Sequence, residues 1–251
     1  MTQQLFLYPE EIVNELDISH LVIEDDIPVD NFQSEKQQRL LVEPLYSSWL
    51  PGASFVAAAN VGLFYGLKLE PIVPDAFLSL NVKMPSDWSQ RQNRSYLAWE
   101  FGKLPEVAIE IVSNRKGNEL TSKKSDYARI GMAYYAVFDP LQQLQGKDEL
   151  NGSLLKVWEL TGKKYVELPE PFWLESVGLG LKLWEGTFEA QSGIWLRWCD
   201  QQGQVIATGS ERADAESQRA DAEGQRADAE SQRAERLAAQ LRAMGVNPDE
   251  V

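Results

Sequence analysis

The 251-residue chain contains a single cysteine, Cys199, and a single histidine, His20. One cysteine excludes an internal disulfide framework and fits a reducing compartment. Set in an apolar, Trp-rich stretch, Cys199 reads as a small core residue and not as a nucleophile. One histidine, with no neighbours at metal-ligand spacing, leaves no Cys/His cluster and removes most His-dependent catalysis. A Gly-rich phosphate loop is also missing. No apolar run approaches the ~18 residues of a membrane span, and no basic segment followed by an apolar one opens the chain. The expectation is a soluble, cytoplasmic protein with no membrane partner. Basic residues are absent from residues 1–35, which hold nine acidic ones.

What is present favours a packed fold. Hydrophobic residues make up 43% of the chain and include eight Trp, enough for a sizeable core, so global disorder is excluded. The net charge of −14 is unevenly spread. Residues 211–251 carry ten acidic and six basic side chains, which leaves 19 acidic against 18 basic in residues 36–210. The central body is therefore near neutral between acidic flanks. Such flanks do not forbid contact with a nucleic acid, but they predict weak non-specific affinity for phosphates.

The spacing of Leu40, Leu41, Leu45 and Trp49 predicts a helix over Gln33–Trp49, with Pro44 expected to kink or interrupt it. Strands are predicted over Ser54–Ala58, Val61–Tyr65, Ile72–Val82, Ser95–Phe101 and Val107–Val112. A helix capped by Asn118 and closed by Gly131 then precedes a strand over Ala133–Phe138, stopped by Asp139-Pro140. This is a mixed α/β order. Beyond about residue 150, Leu154–Leu160, Tyr165–Leu168, Leu181–Trp184 and Ile194–Trp198 read as short strands, with turns at Thr161-Gly162 and Gln202-Gly203. The Trp residues here (158, 173, 184, 195 and 198) are expected to thicken a small sheet packed on the first domain. From Arg212 the unit Arg-Ala-Asp-Ala-Glu-Ser-Gln recurs every seven residues before decaying near Leu237, which predicts a long helix closed by Gly245. Alanine makes a poor coiled-coil knob, so a solvated single helix and a weak coiled coil remain equal readings. The expected domains are an acidic arm (1–31), a domain over 32–207 with a core (32–150) and a β-rich extension (151–207), and the heptad helix (208–251).

Two acidic residues sit in apolar, strand-like runs: Asp75 in Val73-Pro74-Asp75-Ala76, and Glu110 in Val107-Ala108-Ile109-Glu110-Ile111-Val112. A buried carboxylate is costly unless it is paired, protonated or bound to a cation. Alternation places Glu110 with Ala108 and Val112, and Asp75 with Val73, Phe77 and Ser79. If the two strands are neighbours, the carboxylates converge, and a divalent ion between them would relieve their repulsion. Magnesium suits such an oxygen site and can serve phosphodiester hydrolysis. Lys123, on the predicted helix, could neutralise charge developing on the phosphate. Lys124 would point about 100° away, so only one of the two should reach the site. The residues alone leave a plain alternative open, in which each acid is a strand-end position.

Taken together, Pro74-Asp75, the run Leu104 to Ser113, Lys123 with Tyr127, Gly131, Tyr134-Tyr135 and Asp139-Pro140 resemble a family abundant in cyanobacteria. Its members are described as restriction endonucleases of the PD-(D/E)XK nuclease superfamily. The resemblance covers most of residues 30–200, and one subgroup also carries an Ala-, Arg- and Glu-rich helical tail. It implies an αβββαβ core, a mixed sheet flanked by helices, to which the pattern adds C-terminal β-hairpins and a long C-terminal helix. It also implies Asp75 and Glu110 as metal carboxylates for Mg2+ (or Mn2+) and DNA as substrate. The superfamily pattern places its lysine two residues after the second acid, where this chain has Val112, so the resemblance moves that role to Lys123. The loop Ser113-Asn114-Arg115-Lys116 departs from the family's usual Ser-Pro-Ser-Thr. Glu119 stands where an Asp is common, and Glu35, with Glu43 as the other option, is the nearest match to a first-helix Glu.

Two functional readings follow. One is a magnesium-dependent endodeoxyribonuclease acting through water, with a homodimer favoured if it cuts both strands and the tail helix as a candidate contact. The other is an inactive nuclease-fold scaffold that recruits a partner through its tail. A narrower expectation is that the acidic arm covers the DNA-binding surface as a DNA mimic.

Overall fold

The computed structural model describes residues 31–66 and 68–244. The arm before Asn31, with His20, and Gly245 at the expected end of the tail lie outside the described residues.

Helix α1 (Phe32–Ser47) starts at Asn31, whose side chain accepts from the Ser34 N–H at 2.9 Å. Short strands follow: β1 (Phe55–Ala58), β2 (Leu63–Phe64), β3 (Ala76–Leu80) and β4 (Tyr96–Leu97). After one helical turn, α2 (Ala98–Phe101), come β5 (Val107–Ile111), α3 (Lys124–Ile130) and β6 (Tyr134–Phe138). The remainder is β7 (Leu155–Thr161), β8 (Lys164–Glu167), β9 (Phe172–Leu174), β10 (Leu179–Phe188), β11 (Gln191–Cys199) and α4 (Gly209–Ala243).

The main sheet runs β1-β3-β5-β6-β7-β8. Strands β5 and β6 are parallel, and every other neighbouring pair is antiparallel. A parallel pair needs a crossover, and α3 supplies it. The order α1, β1, β3, β5, α3, β6 is the αβββαβ core expected from the sequence. Side chains alternate between two packed faces. Ala76, Leu78, Ile109 and Ala136 pack on one side with Leu41 and Leu45 of α1 and with Leu179, Leu196 and Trp198. Phe77, Ala108, Val112 and Val137 pack on the other with Tyr96, Tyr127 and Tyr135.

The structure corrects several local expectations. Pro44 lies inside α1 without breaking it. It falls in the last turn, where Ser48 closes on the Pro44 carbonyl and the Trp198 indole donates to the Leu41 carbonyl at 2.7 Å, so a neighbour supports the turn that proline loosens. Ladder pairing of the strand expected over Ile72–Val82 begins only at Ala76, because Pro74 has no N–H to give. The strand expected over Ser95–Phe101 stops at Leu97, and α2 folds the Phe101 ring back onto Tyr96 at 4.2 Å before Gly102 turns at φ 73°. Asn118 does not cap through its side chain. Strands β7 and β8 extend the main sheet, since Val157 and Trp158 are buried on opposite faces; only β9, which the sequence did not reveal, joins β10 and β11 in a second sheet. Of the five Trp expected to thicken the small sheet, Trp195 and Trp198 are buried there, Trp173 and Trp184 are half-buried, and Trp158 is buried in the main sheet instead.

Two polar devices fasten the second sheet and the tail. The buried Gln37 amide donates to the Leu196 carbonyl at 2.8 Å and accepts from its N–H at 3.0 Å, serving β11 as a strand would. Arg197, fully buried, makes a forked contact with Glu211 at 3.0 and 2.7 Å and lies over the Trp184 ring. Glu211 also completes a capping box with Thr208 at the start of α4. Beyond that root, α4 buries no residue.

A buried backbone pair left unserved costs about 1–3 kcal/mol per group. We therefore expect Gln37→Ala to lower unfolding free energy by about 2–3 kcal/mol in urea titrations. A change within error would mean that water serves the Leu196 backbone equally well.

Candidate active site

The site forms where β3 enters the sheet, at the carboxyl end of β5, the end at which open α/β sheets commonly bind ligands. Ala76 pairs with Ile109 and Phe77 with Ala108, so the register, continued one step, sets Asp75 opposite Glu110. Asp75 is not itself in the ladder. It occupies the bend before β3 and is partly exposed, and its Oδ2 accepts from the Ile111 N–H at 2.6 Å. The carboxylate thus takes a position that a strand partner would otherwise fill. Its Oδ1 accepts from the Gln38 amide of α1 at 3.3 Å, and Gln38 accepts in turn from Asn60 at 3.1 Å.

Glu110 is fully buried on the face that carries Ala108 and Val112. Its two oxygens have different partners. Lys123 Nζ donates to Oε2 at 2.8 Å, and the Tyr127 hydroxyl donates to Oε1 at 2.7 Å. Burial pulls the Lys123 pKa down, but the charge and hydrogen bond of Glu110, with help from Asp75 and Glu119, outweigh it and raise the pKa above its ordinary value. Tyr127 is pushed well above the usual phenol range, first by burial and then by Glu110, so it stays a donor.

The lysine reaches Glu110 through an irregular turn. Glu119–Lys123 forms a π-helical turn in which the Lys123 N–H closes on the Asn118 carbonyl at 3.2 Å, and Asn118 itself sits at φ 58°. One extra residue in a turn rotates every later side chain by about 100°. That rotation is the difference between Lys123 and Lys124. Lys124 instead lies 3.7 Å over the Trp158 ring, where burial lowers its pKa. The Tyr135 hydroxyl fixes the turn by donating to the Glu119 carbonyl at 2.8 Å.

Glu119 is buried, and its Oε2 has no hydrogen-bond partner among the described residues. Burial raises its pKa despite the opposing Lys123 charge, so part of its population holds a proton where ordinary carboxyls have lost theirs. The first-helix acids lie elsewhere. Glu35 pairs with Arg39 at the exposed end of α1, and Glu43 accepts from the Gly209 N–H at the root of α4. The α1 residue at the site is Gln38. It precedes Leu41 by three positions and Leu45 by seven, so a polar residue on the apolar face of α1 was the available signal.

Asp75 and Glu110 offer oxygen donors only, and magnesium takes one or two carboxylates while keeping several waters. A carboxylate has about four acceptor directions, of which Lys123 and Tyr127 take two on Glu110. The donor chemistry therefore fits such an ion. Among the described residues, no group of three or more His, Cys, Asp or Glu is spaced to enclose a metal.

A family model, Uma2, described as "Putative restriction endonuclease", matches residues 18–168. A crystal structure described as a putative nuclease belonging to DUF820 from Anabaena variabilis aligns with a TM-score of 0.40 at 18% identity, covering 59% of this chain and 73% of that one. No curated protein matches the chain. Among the described residues, no helix is long and apolar enough to cross a membrane.

Glu119 binds its proton more tightly folded than unfolded. Its contribution therefore favours the fold below the ordinary carboxyl range and is lost as pH rises through the raised value. The expected result is that Glu119→Gln melts like the native chain near about pH 4 and gains relative to it towards about pH 8. Thermal melts across that range would count against this account if the gap narrowed with rising pH.

Proposed function

The chain belongs to the Uma2 family of restriction-endonuclease-like proteins, and on that premise we propose that it is a metal-dependent endonuclease hydrolysing DNA phosphodiester bonds. The observation that carries this reading is the convergence of Asp75, the fully buried Glu110 and a charged Lys123 at one end of the sheet. Asp75 and Glu110 would hold magnesium, with manganese as a substitute that accepts the same oxygen donors. When bound, the ion supplies a water acidified for attack and stabilises charge on the scissile phosphate.

The protein's own groups prepare that chemistry. Tyr127 and Lys123 hold the Glu110 carboxylate from both oxygens, and so fix its plane. The Ile111 N–H and Gln38 do the same for Asp75. Lys123, kept protonated by Glu110, would neutralise phosphate charge as the bond breaks. Glu119 lies near enough to act on the Lys123 charge and helps to keep it protonated. A subunit with one such site would act as a pair to cut both strands, and a cytoplasmic setting fits its single cysteine. The exposed surface of α4 favours a second reading, in which the fold serves as an inactive scaffold and the helix recruits a partner.

We predict that Asp75→Ala and Glu110→Ala each cut magnesium-stimulated nicking of plasmid DNA by at least about 100-fold while circular dichroism is unchanged. Nicking retained by both variants would sink the assignment. A magnesium titration by calorimetry that detects no binding to the native chain would favour the scaffold.

A further inference from the structure

Beside the two carboxylates, on the same face of the sheet, lies an apolar pocket of about 480 Å3. Its lining includes the buried rings of Phe77 and Tyr96 and the exposed side chains of Met84 and Trp88. Phe77 is two residues beyond Asp75, a step of about 6.8 Å along a strand. Ala58, opposite Phe77, leads two residues on to Asn60, which bonds Gln38 and through it Asp75. Pocket and carboxylates therefore share one wall.

Three features describe what would fit. First, the pocket is built around flat rings: Tyr96 stacks on Phe101 at an interplanar angle of 7°, and Phe77 meets Tyr96 edge-on. Second, Trp88 is 63% exposed and Met84 45%, a costly display of apolar surface on a loop that is otherwise tightly tied. Arg94 donates to the Trp88 and Ser89 carbonyls, and Asp87 accepts from Ser89 and Gln90, so the exposed ring stands on an ordered base. Third, residues 83–106 contain Lys83, Arg91, Arg94 and Lys103 against Asp87, Glu100 and Glu106, the last paired with Lys103, a slightly positive stretch in a chain of net charge −14. Ser95 and Asn93, whose amide nitrogen already donates to the Asp87 carbonyl, put a hydroxyl and an amide oxygen among the lining residues, groups able to meet a base edge.

An apolar pocket with an exposed indole, a few polar groups in its lining and basic side chains nearby, two residues along the strand from Asp75, matches one chemical class. We propose that it receives a single unstacked nucleobase from the strand being cut, held against the exposed ring of Trp88. This rests on the nuclease reading and adds to it: the enzyme grips its substrate by taking a base out of the stack, and so prefers mispaired or single-stranded DNA. A purely lipidic ligand would gain nothing from the basic side chains.

The test uses oligonucleotides carrying 2-aminopurine, whose emission changes on unstacking, with calcium in place of magnesium so that nothing is cut. Fluorescence anisotropy reports binding independently. The native chain should change the 2-aminopurine signal several-fold on binding. Trp88→Ala, which leaves every bond of the loop in place, and Val61→Trp, which fills the slot, should each abolish most of that change. Equal signals from native and variant proteins, at equal binding, would overturn the pocket and leave the nuclease reading intact. Binding and unstacking without cleavage in magnesium would uphold the pocket and remove the catalytic reading. No anisotropy change for the native chain would remove both.

Discussion

The ion pair between Glu110 and Lys123 is the interaction on which the candidate site depends. A carboxylate with no solvent contact is tolerated inside a sheet because an ammonium and a phenol each satisfy one of its oxygens. Removing either partner would leave a buried charge short of compensation, which is far costlier than never having buried it. The same pair also keeps the lysine charged in a place where burial alone would favour its neutral form. One contact thus satisfies a buried carboxylate and sets the protonation of the lysine beside it. The aromatic shell of Tyr127, Tyr135 and Trp158 behind it excludes water and strengthens each of these electrostatic terms.

How much of this was legible in the sequence differs residue by residue. Asp75 and Glu110 stood out because charge inside an apolar strand run is expensive, and that expense is a local property of the chain. The order of strands and the crossover helix followed from periodicity and turn residues. Lys123 was a candidate from its place on the predicted helix, and the family resemblance strengthened it. Its approach to Glu110 depends on a π-helical turn, and nothing in Glu119-Leu120-Thr121-Ser122-Lys123 marks the extra residue. Gln38 was missed because glutamine carries no charge to flag it, although its place on the apolar side of α1 was visible. The assignment of β7 and β8 to the main sheet was hidden as well, since a half-buried strand reads alike wherever it pairs.

Two departures from regular pairing lie at the site: Asp75 stands in for a ladder partner, and the turn after Asn118 adds a residue. Such departures persist only where the surroundings over-determine them, and they mark where a fold has been shaped for something other than stability.

Helix α1 has a further consequence. Its neighbouring residues Gln37 and Gln38 grip different things: the backbone of β11 and the carboxylate of Asp75. Two turns further on, Glu43 and the Ser47 carbonyl hold the root of α4. At 1.5 Å per residue, α4 is a rod about 50 Å long, and α1 is the short strut it bears on. Load placed on the far end of that rod is therefore delivered, through a single rigid helix, within one peptide unit of the residue that orients Asp75.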